Sequence, residues 1–340
     1  MSGVVGVVVN PVSGRDVRRV AARAGDSTPQ SKRNQVARIV IGAAASGAAR
    51  VVVARDPFRV SEEAVRHLRL DAEIEVIDIG ARVTADDSAR AAEAMRASGC
   101  GALVVLGGDG TQRTVAKAWP GVPMVPVSTG TNNVFPFMLE ATLAGSAAAL
   151  VVLGEMALEQ VAPRAKCIRV EIDGGPRDLA LVDAVLLVGD FRGNLLPFEP
   201  AHLRRLLLAR AEPAAIGTSP IGGLLHPAGI DDDFGVEVEC GGAVEGSCEL
   251  RVPISPGLYR PVRVASWRRV ELEQAVEFRG PGVLAFDGDR EYTLAPGQSV
   301  RLRIDRSGPR VIRTGRVFSE AARLGLFLDR GAWRDPHAGG

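Results

Sequence analysis

What most constrains this chain is a change of rhythm part-way along it. Up to about Leu158, short β-branched runs alternate with longer helical patterns. Strands that run parallel need a crossover between them, usually a helix, and produce that alternation. The pattern predicts strands at residues 4–9, 50–54, 74–79, 102–106 and 124–127, and helices at 31–45, 61–70, 84–97 and 112–118. Ser61 and Thr84 open two of these helices as caps, each with acidic residues in the first turn. Residues 14–30, rich in Arg, Gly, Ser and Pro, read as a long loop. The expected fold class is a Rossmann-like α/β domain with a mainly parallel sheet over residues 1–158.

Beyond that point the runs shorten and are separated by Gly, Pro and Asp turns, at residues 167–172, 179–188, 236–240, 248–254, 262–265, 270–278 and 300–304. Residues 159–315 therefore read as a β-rich, sandwich-like domain. One helix is predicted inside it at 201–211, after Pro200 and with apolar residues at Leu203, Leu206 and Leu207. A last helix at 317–329, within a C-terminal segment 316–340, is expected to pack back on the body. At 340 residues the chain is longer than one core usually fills, so two domains and a cleft between them are expected.

The charge pattern excludes some functions. The 41 basic and 40 acidic residues are interspersed and sum to +1, which gives no electrostatic footprint for nucleic acid or an anionic membrane. No stretch approaches the roughly 20 apolar residues of a membrane span. The short apolar start lacks a basic leader and runs into Asn10-Pro11, as a first buried strand would. Cys100, Cys167, Cys240 and Cys248 are scattered without a Cys-x-x-Cys pair. That usage fits reduced thiols and a cytoplasmic location. His67, His202 and His226 have no ligand spacing and read as surface or cap residues.

Four segments carry candidate chemistry. Gly107-Gly108-Asp109-Gly110-Thr111 follows a buried strand and feeds a helix. Glycines there let the main chain approach a phosphate, and amides at a helix start favour the anion. The competing reading is a tight turn in which Asp109 only caps the helix. It is not a Walker A loop, because no Gly-Lys-Ser/Thr follows. Ser128-Thr129-Gly130-Thr131-Asn132-Asn133 follows the next strand, and adjacent strand ends in an open α/β sheet converge on one crevice. Asn10-Pro11-Val12-Ser13-Gly14 ends the first strand and is equally readable as a plain turn. Asp287-Gly288-Asp289 is either a hairpin turn or a paired carboxylate suited to magnesium-dependent phosphoryl transfer. Arg113 and Lys117, on the helix after the glycine turn, could neutralise a phosphate or lie on a solvated face.

Together these residues resemble the NAD kinase and diacylglycerol kinase superfamily, with Gly-Gly-Asp-Gly-Thr the specific signal. Within it the chain is most similar to the acetoin-catabolism protein X family of ATP-NAD-kinase-like proteins. Ser128 to Pro136, Glu140 to Gly145, Ala180 to Asp183 and Arg210 to Gly223 carry that likeness. The resemblance implies an ATP- and Mg²⁺-dependent phosphotransferase acting on a small, NAD-like nucleotide acceptor, and a homo-oligomer, dimer or tetramer. A lipid kinase and a non-catalytic nucleotide-binding regulator are the alternatives.

By the same resemblance Asp109 would be the base or metal partner, and Asp287 and Asp289 would be catalytic and hold the metal. Gly107, Gly108, Gly110 and Thr111 would line the nucleotide phosphates, with Asn10, Ser13, Ser128, Thr129, Gly130, Thr131, Asn132 and Asn133 completing the nucleotide site. Asp183, Gly217, Thr218 and Ser219 would face the acceptor. The chain departs from NAD kinases at Val182-Asp183, where those carry Asn-Glu, and from lipid kinases at Val134 and Asp289, where those carry Asp and Glu.

Overall fold

A computed structural model describes residues 3–13, 28–130, 132–242 and 246–328. In chain order the first half runs β1 (Val4–Val9), α1 (Pro29–Ala45), β2 (Arg50–Arg55), α2 (Val60–Val65), β3 (Glu73–Asp78), α3 (Asp86–Ala97), β4 (Ala102–Leu106), α4 (Asp109–Ala118), β5 (Pro123–Val127), α5 (Ala141–Leu153) and α6 (Leu158–Val161). The second half runs β6 (Cys167–Ile172), β7 (Arg177–Ala180), β8 (Asp183–Leu187), β9 (Leu203–Leu208), α7 (Ser219–Gly223), β10 (Phe234–Cys240), β11 (Cys248–Ser255), β12 (Leu258–Glu271), β13 (Ala275–Arg279), β14 (Gly282–Phe286), β15 (Asp289–Leu294), β16 (Ser299–Asp305), β17 (Arg310–Val311) and α8 (Thr314–Arg323).

The first sheet is six-stranded and parallel, in the order β17-β5-β4-β1-β2-β3. Its central strands β1 and β4 are buried throughout, as strands covered on both faces must be. The order reverses between β1 and β4, and open α/β sheets bind ligands outside the strand ends at such a switch point. The Ala-rich run after Glu140 forms α5, whose Glu140 side chain caps the amides of Thr142 and Leu143. Helices α1 and α5 meet through glycines. A Cβ on Gly145 would lie 2.0 Å from the Ile39 carbonyl oxygen, and one on Gly42 would lie 2.1 Å from that of Thr142.

The second half holds a seven-stranded sheet, β11-β12-β10-β9-β8-β14-β15, and a four-stranded one, β13-β16-β6-β7. All described pairings within them are antiparallel. Ile168, Val170 and Phe278 of the smaller sheet share a core with Leu186, Leu207 and Leu284 of the larger, which makes a sandwich. The larger sheet's other face packs Leu206, Leu208 and Val236 against Ile221 of α7. The chain then returns: β17 adds to the edge of the first sheet beside β5, and α8 packs on α5 and α6.

Several expectations are corrected. Residues 201–211 are not a helix: a 3₁₀ turn at Pro200–His202 leads into β9, which pairs with β8 and β10. Leu206, Leu207 and Leu208 are all fully buried because β9 lies between two apolar layers, and a strand buried on both faces loses the period-two signal that separates it from a helix. The single strand expected at 179–188 is two, β7 and β8, broken at Leu181-Val182. Helix α4 begins at Asp109 rather than Gln112. The loop expected at 14–30 lies outside the described residues over 14–27, and Pro29 and Gln30 already belong to α1.

Candidate active site in the cleft between the two halves

The turns after β1, β4 and β5 are cross-linked into one wall. Asn10 Nδ2 donates to Thr111 Oγ1 at 2.9 Å, the Ser13 and Thr129 hydroxyls lie 3.0 Å apart, and Asn133 Nδ2 donates to Ser128 Oγ at 2.8 Å. The first turn is pinned from below by Lys32 of α1, whose fully buried ammonium donates to the carbonyls of Asn10, Pro11 and Ser13 at 3.0, 2.8 and 2.5 Å. Burying that charge is tolerable because its protons reach acceptors.

Asp109 sits at the first helical position, and its carboxylate crosses to the next loop. It accepts from the amides of Val134 at 3.0 Å and Phe135 at 2.8 Å. The capping residue itself is Gly108, so Asp109 is not the helix cap. The glycines of this turn have definite neighbours. A Cβ on Gly107 would strike the Thr111 side chain at 2.4 Å, one on Gly108 would lie 2.8 Å from Asn133 Oδ1, and one on Gly110 would lie 2.7 Å from Asp289 Oδ2. Glycine at 108 and 110 therefore admits an amide and a carboxylate against the turn.

The opposite wall comes from the β-rich half. Asp287 occupies a left-handed turn position at φ 50° between β14 and β15. Its carboxylate accepts from the amides of Leu181 at 2.8 Å, Val182 at 2.7 Å and Asp183 at 3.3 Å, where β7 and β8 break. Asp183 accepts from the Thr218 hydroxyl at 2.5 Å through Oδ2, while its buried Oδ1 has no hydrogen-bond partner among the described residues.

Between the walls lies a cavity of about 290 Å³. From the first half it is lined by Asn10, Ser13, Gly108, Asp109, Gly110, Thr111, Thr129, Asn132 and Asn133; from the second by Asp183, Gly217, Thr218, Asp287 and Asp289. Gly107, Ser128, Gly130 and Ser219 do not line it. Gly107 lies under Thr111, Ser128 Oγ is bonded to Gly130 O at 2.6 Å, and the fully buried Ser219 hydroxyl joins Arg210 O to Glu212 N. Thr131 lies outside the described residues. Sequence reasoning gave no site role to the further lining residues Leu196 to Phe198, Ile216 and Ile254 to Pro256, although Ile216 lies in the stretch that carries the family likeness.

Converging carboxylates raise one another's proton affinity. Burial pushes Asp109 up to about 6, opposed by the Phe135 and Val134 amides and reinforced by Asp183. Burial likewise pushes Asp183 up to about 6, with the Thr218 hydroxyl opposing and the Asp289 charge adding. Asp287 is raised well above the ordinary carboxylate range by burial and by Asp183. Such a cluster holds protons near neutrality unless a cation joins it.

Arg113, which lines the cavity, and the exposed Lys117 both have carboxylate partners in the β-rich half. Arg113 donates to Leu179 O at 2.6 Å, Glu291 Oε1 at 2.5 Å and Asp178 Oδ2 at 2.8 Å, and Lys117 reaches Asp178 Oδ1 at 2.8 Å. Tyr292 completes the group with a 2.8 Å bond to Asp178. They clamp α4, which starts at Asp109, to β7 and β15. His67 is exposed, while His202 and His226 each keep one buried nitrogen without a hydrogen-bond partner among the described residues, outside the cleft. The described cysteines are all free thiols, three of them buried.

Comparison with known proteins follows the same division. Residues 5–156 match the model of the ATP-NAD kinase N-terminal domain, and residues 166–307 match that of the acetoin catabolism protein X C-terminal domain. Acetoin catabolism protein X of Cupriavidus necator is 35% identical over 337 residues, covering 95% of this chain and 94% of that protein. The chain belongs to the acetoin catabolism protein X family. Two solved structures also align with this family member. Yeast NADH kinase complexed with NADH does so at 14% identity and TM-score 0.45, over 97% of this chain and 89% of that one. An NAD kinase from Archaeoglobus fulgidus in complex with ATP does so at 16% identity and TM-score 0.38, over 82% and 97%. No described helix of the family member is long and apolar enough to cross a membrane.

Proposed function

We propose that the protein is an ATP- and Mg²⁺-dependent phosphotransferase that phosphorylates a hydroxyl of a small acceptor, with a place in acetoin catabolism. The observation that carries this reading is the opposition, across one cavity, of the Gly108–Thr111 turn with its Asp109 to Asp183 and Asp289 of the β-rich half. Phosphoryl transfer needs little from a protein beyond positioning and electrostatics, and both are supplied by such a pair of walls.

Among the described residues no group of three or more His, Cys, Asp or Glu is arranged as a metal cage. That arrangement fits magnesium nonetheless, because Mg²⁺ in nucleotide sites takes one or two carboxylates and completes its shell with phosphates and water. Asp289, whose carboxylate lies against Gly110 where a Cβ would meet it at 2.7 Å, would hold it; Asp287 is engaged with three main-chain amides and serves to shape the turn. When bound, the ion offsets charge on the transferred group. The chain's own residues do the rest. Turn amides at the start of α4 face the phosphates. Asp109, held by Val134 and Phe135, takes the acceptor's proton as the acceptor oxygen bonds to the γ-phosphorus. The bond from that phosphorus to the β–γ bridging oxygen breaks, and its electron pair leaves with the nucleoside diphosphate.

The acceptor is not set by the ATP-side half. NAD is the first acceptor to try, since the matching first-half model is that of an ATP-NAD kinase. The β-rich half, which supplies the acceptor wall, matches a different family's model. The second reading, a nucleotide-binding regulator without catalysis, is favoured by one observation: both Asp109 oxygens already accept main-chain amides. Incubation with ATP and Mg²⁺ against NAD, NADH, nucleosides and lipids, scoring transferred phosphate, separates the two. Transfer to any acceptor supports the enzyme; nucleotide binding without transfer to any of them supports the regulator.

A further inference from the structure

Resting on the phosphotransferase reading, we propose that the acceptor is a small uncharged alcohol with an apolar body, seated against the loops of the β-rich half. Three segments of that half give the cavity an apolar side: Leu196 to Phe198, Ile216, and Ile254 with Pro256 at the end of β11. The polar lining comes from the first half together with Asp183, Thr218, Asp287 and Asp289 of the second. Where the two meet, Asp183 presents a buried oxygen without a partner, a ready acceptor for one hydroxyl.

The apolar side is built rather than incidental. Asp190 and Arg290 form an ion pair at 2.9 Å with side chains 1% and 2% exposed. The same guanidinium donates to Leu196 O at 2.9 Å and stacks 4.5 Å over the Phe198 ring. The loop carrying Leu196 and Phe198 is thereby tied to the residue that follows Asp289. Outside the cavity the apolar surface continues through Leu196, Leu195 and Phe191, which are 51%, 50% and 65% exposed.

Size and charge favour a small neutral acceptor over a second nucleotide. About 290 Å³ is the low end of cavities that hold one small ligand, and the donor's terminal phosphate already claims part of it. The two arginines on the lining, Arg113 and Arg290, are both held in ion pairs with Asp178, Glu291 and Asp190. An anionic acceptor would meet Asp183 and Asp289 instead. An alcohol meets a bare carboxylate oxygen for its hydroxyl and apolar side chains for its body. Its oxygen joins the γ-phosphorus, its proton passes to Asp109, and the nucleoside diphosphate leaves with the electron pair of the broken bond.

The test uses the full chain with ATP and Mg²⁺ and a series of linear 1,2-diols of growing length, with glycerol and NAD alongside, and measures both equilibrium binding and phosphate transfer. Binding is expected to tighten about fourfold per added methylene until the wall is covered, from the free energy of burying a methylene. Leu196→Ser should flatten that series while ATP affinity stays unchanged. Diol binding that follows chain length without transfer would sink the phosphotransferase reading and leave the apolar wall standing. Diol affinity independent of length, or NAD bound more tightly than every diol, overturns the inference.

Discussion

Arg113 and Asp178 pair at 2.8 Å with side chains only 5% and 0% exposed, and the pair joins the helix that begins at Asp109 to the first hairpin of the β-rich half. Burial works against both charges, yet each is stabilised. Asp178 is held below its usual pKa by Arg113, Lys117 and Tyr292. Arg113 is raised by Asp178, Asp287 and Glu291. A buried charge cluster thus ties α4 to the β-rich half beside the cleft.

Removing one member of such a cluster strands the others. Arg113→Met should cost about 3 kcal/mol, the usual scale for an uncompensated buried charge. Arg113→Lys should recover only part of it, because one ammonium cannot serve acceptors on Leu179, Asp178 and Glu291 together. Urea unfolding of both variants measures this. A loss under about 0.5 kcal/mol, the scale of an exposed pair, would show that the cluster does not hold the halves together.

The α1–α5 contact makes a separate expectation. Gly145→Ala places a methyl group 2.0 Å from a main-chain oxygen that cannot rotate away, and overpacking of this kind costs about 1–3 kcal/mol. Thermal melting of the variant should shift downward by several degrees. An unchanged or raised midpoint would mean that the helices separate at no cost.

How much of this was legible beforehand depended on which physical signal each residue carried. Strands β1 and β4 and the turns after them were readable, because continuous Val and Leu runs ending in Gly or Asn-Pro have few alternatives. Strand β9 was not: Leu206 to Leu208 face two apolar layers, and the surrounding Leu spacing imitates a helix. Arg113 sat on a helix whose far side could not be known to meet Asp178, 65 residues later in the chain. Asp287 was legible as a turn residue, while its three bonds to the β7–β8 break depend on a pairing that no local pattern encodes.

Asp287 gives a discriminating pair of substitutions. Asp287→Asn keeps an acceptor for the Leu181 and Val182 amides, and asparagine tolerates the left-handed turn at φ 50°. Asp287→Ala leaves those amides bare and should cost about 1–3 kcal/mol per unsatisfied group. Chemical denaturation should place the Asn variant close to the parent and the Ala variant well below it. Equal stability of the two would remove the main-chain role.

The acid cluster fixes a pH dependence. Asp109 and Asp183 are raised to about 6 from 3.8, so the folded chain keeps protons that the unfolded chain releases between those values. Their contribution to stability is present in acid and is lost as pH rises through about 6. A base must be ionised, so kcat/KM should climb over the same interval, with apparent values that belong to the coupled carboxylates together. Activity that is flat from about pH 5 to pH 7 would exclude Asp109 as the group that takes the proton.

The most direct measurement is transfer of labelled γ-phosphate from ATP in the presence of Mg²⁺ by the parent chain and by Asp109→Asn, with nucleotide affinity determined on the same samples. The parent should transfer, and the variant should bind nucleotide as the parent does while losing about 10²–10⁴ in turnover, the range for removal of a general base. Equal turnover in the two proteins would contradict the account.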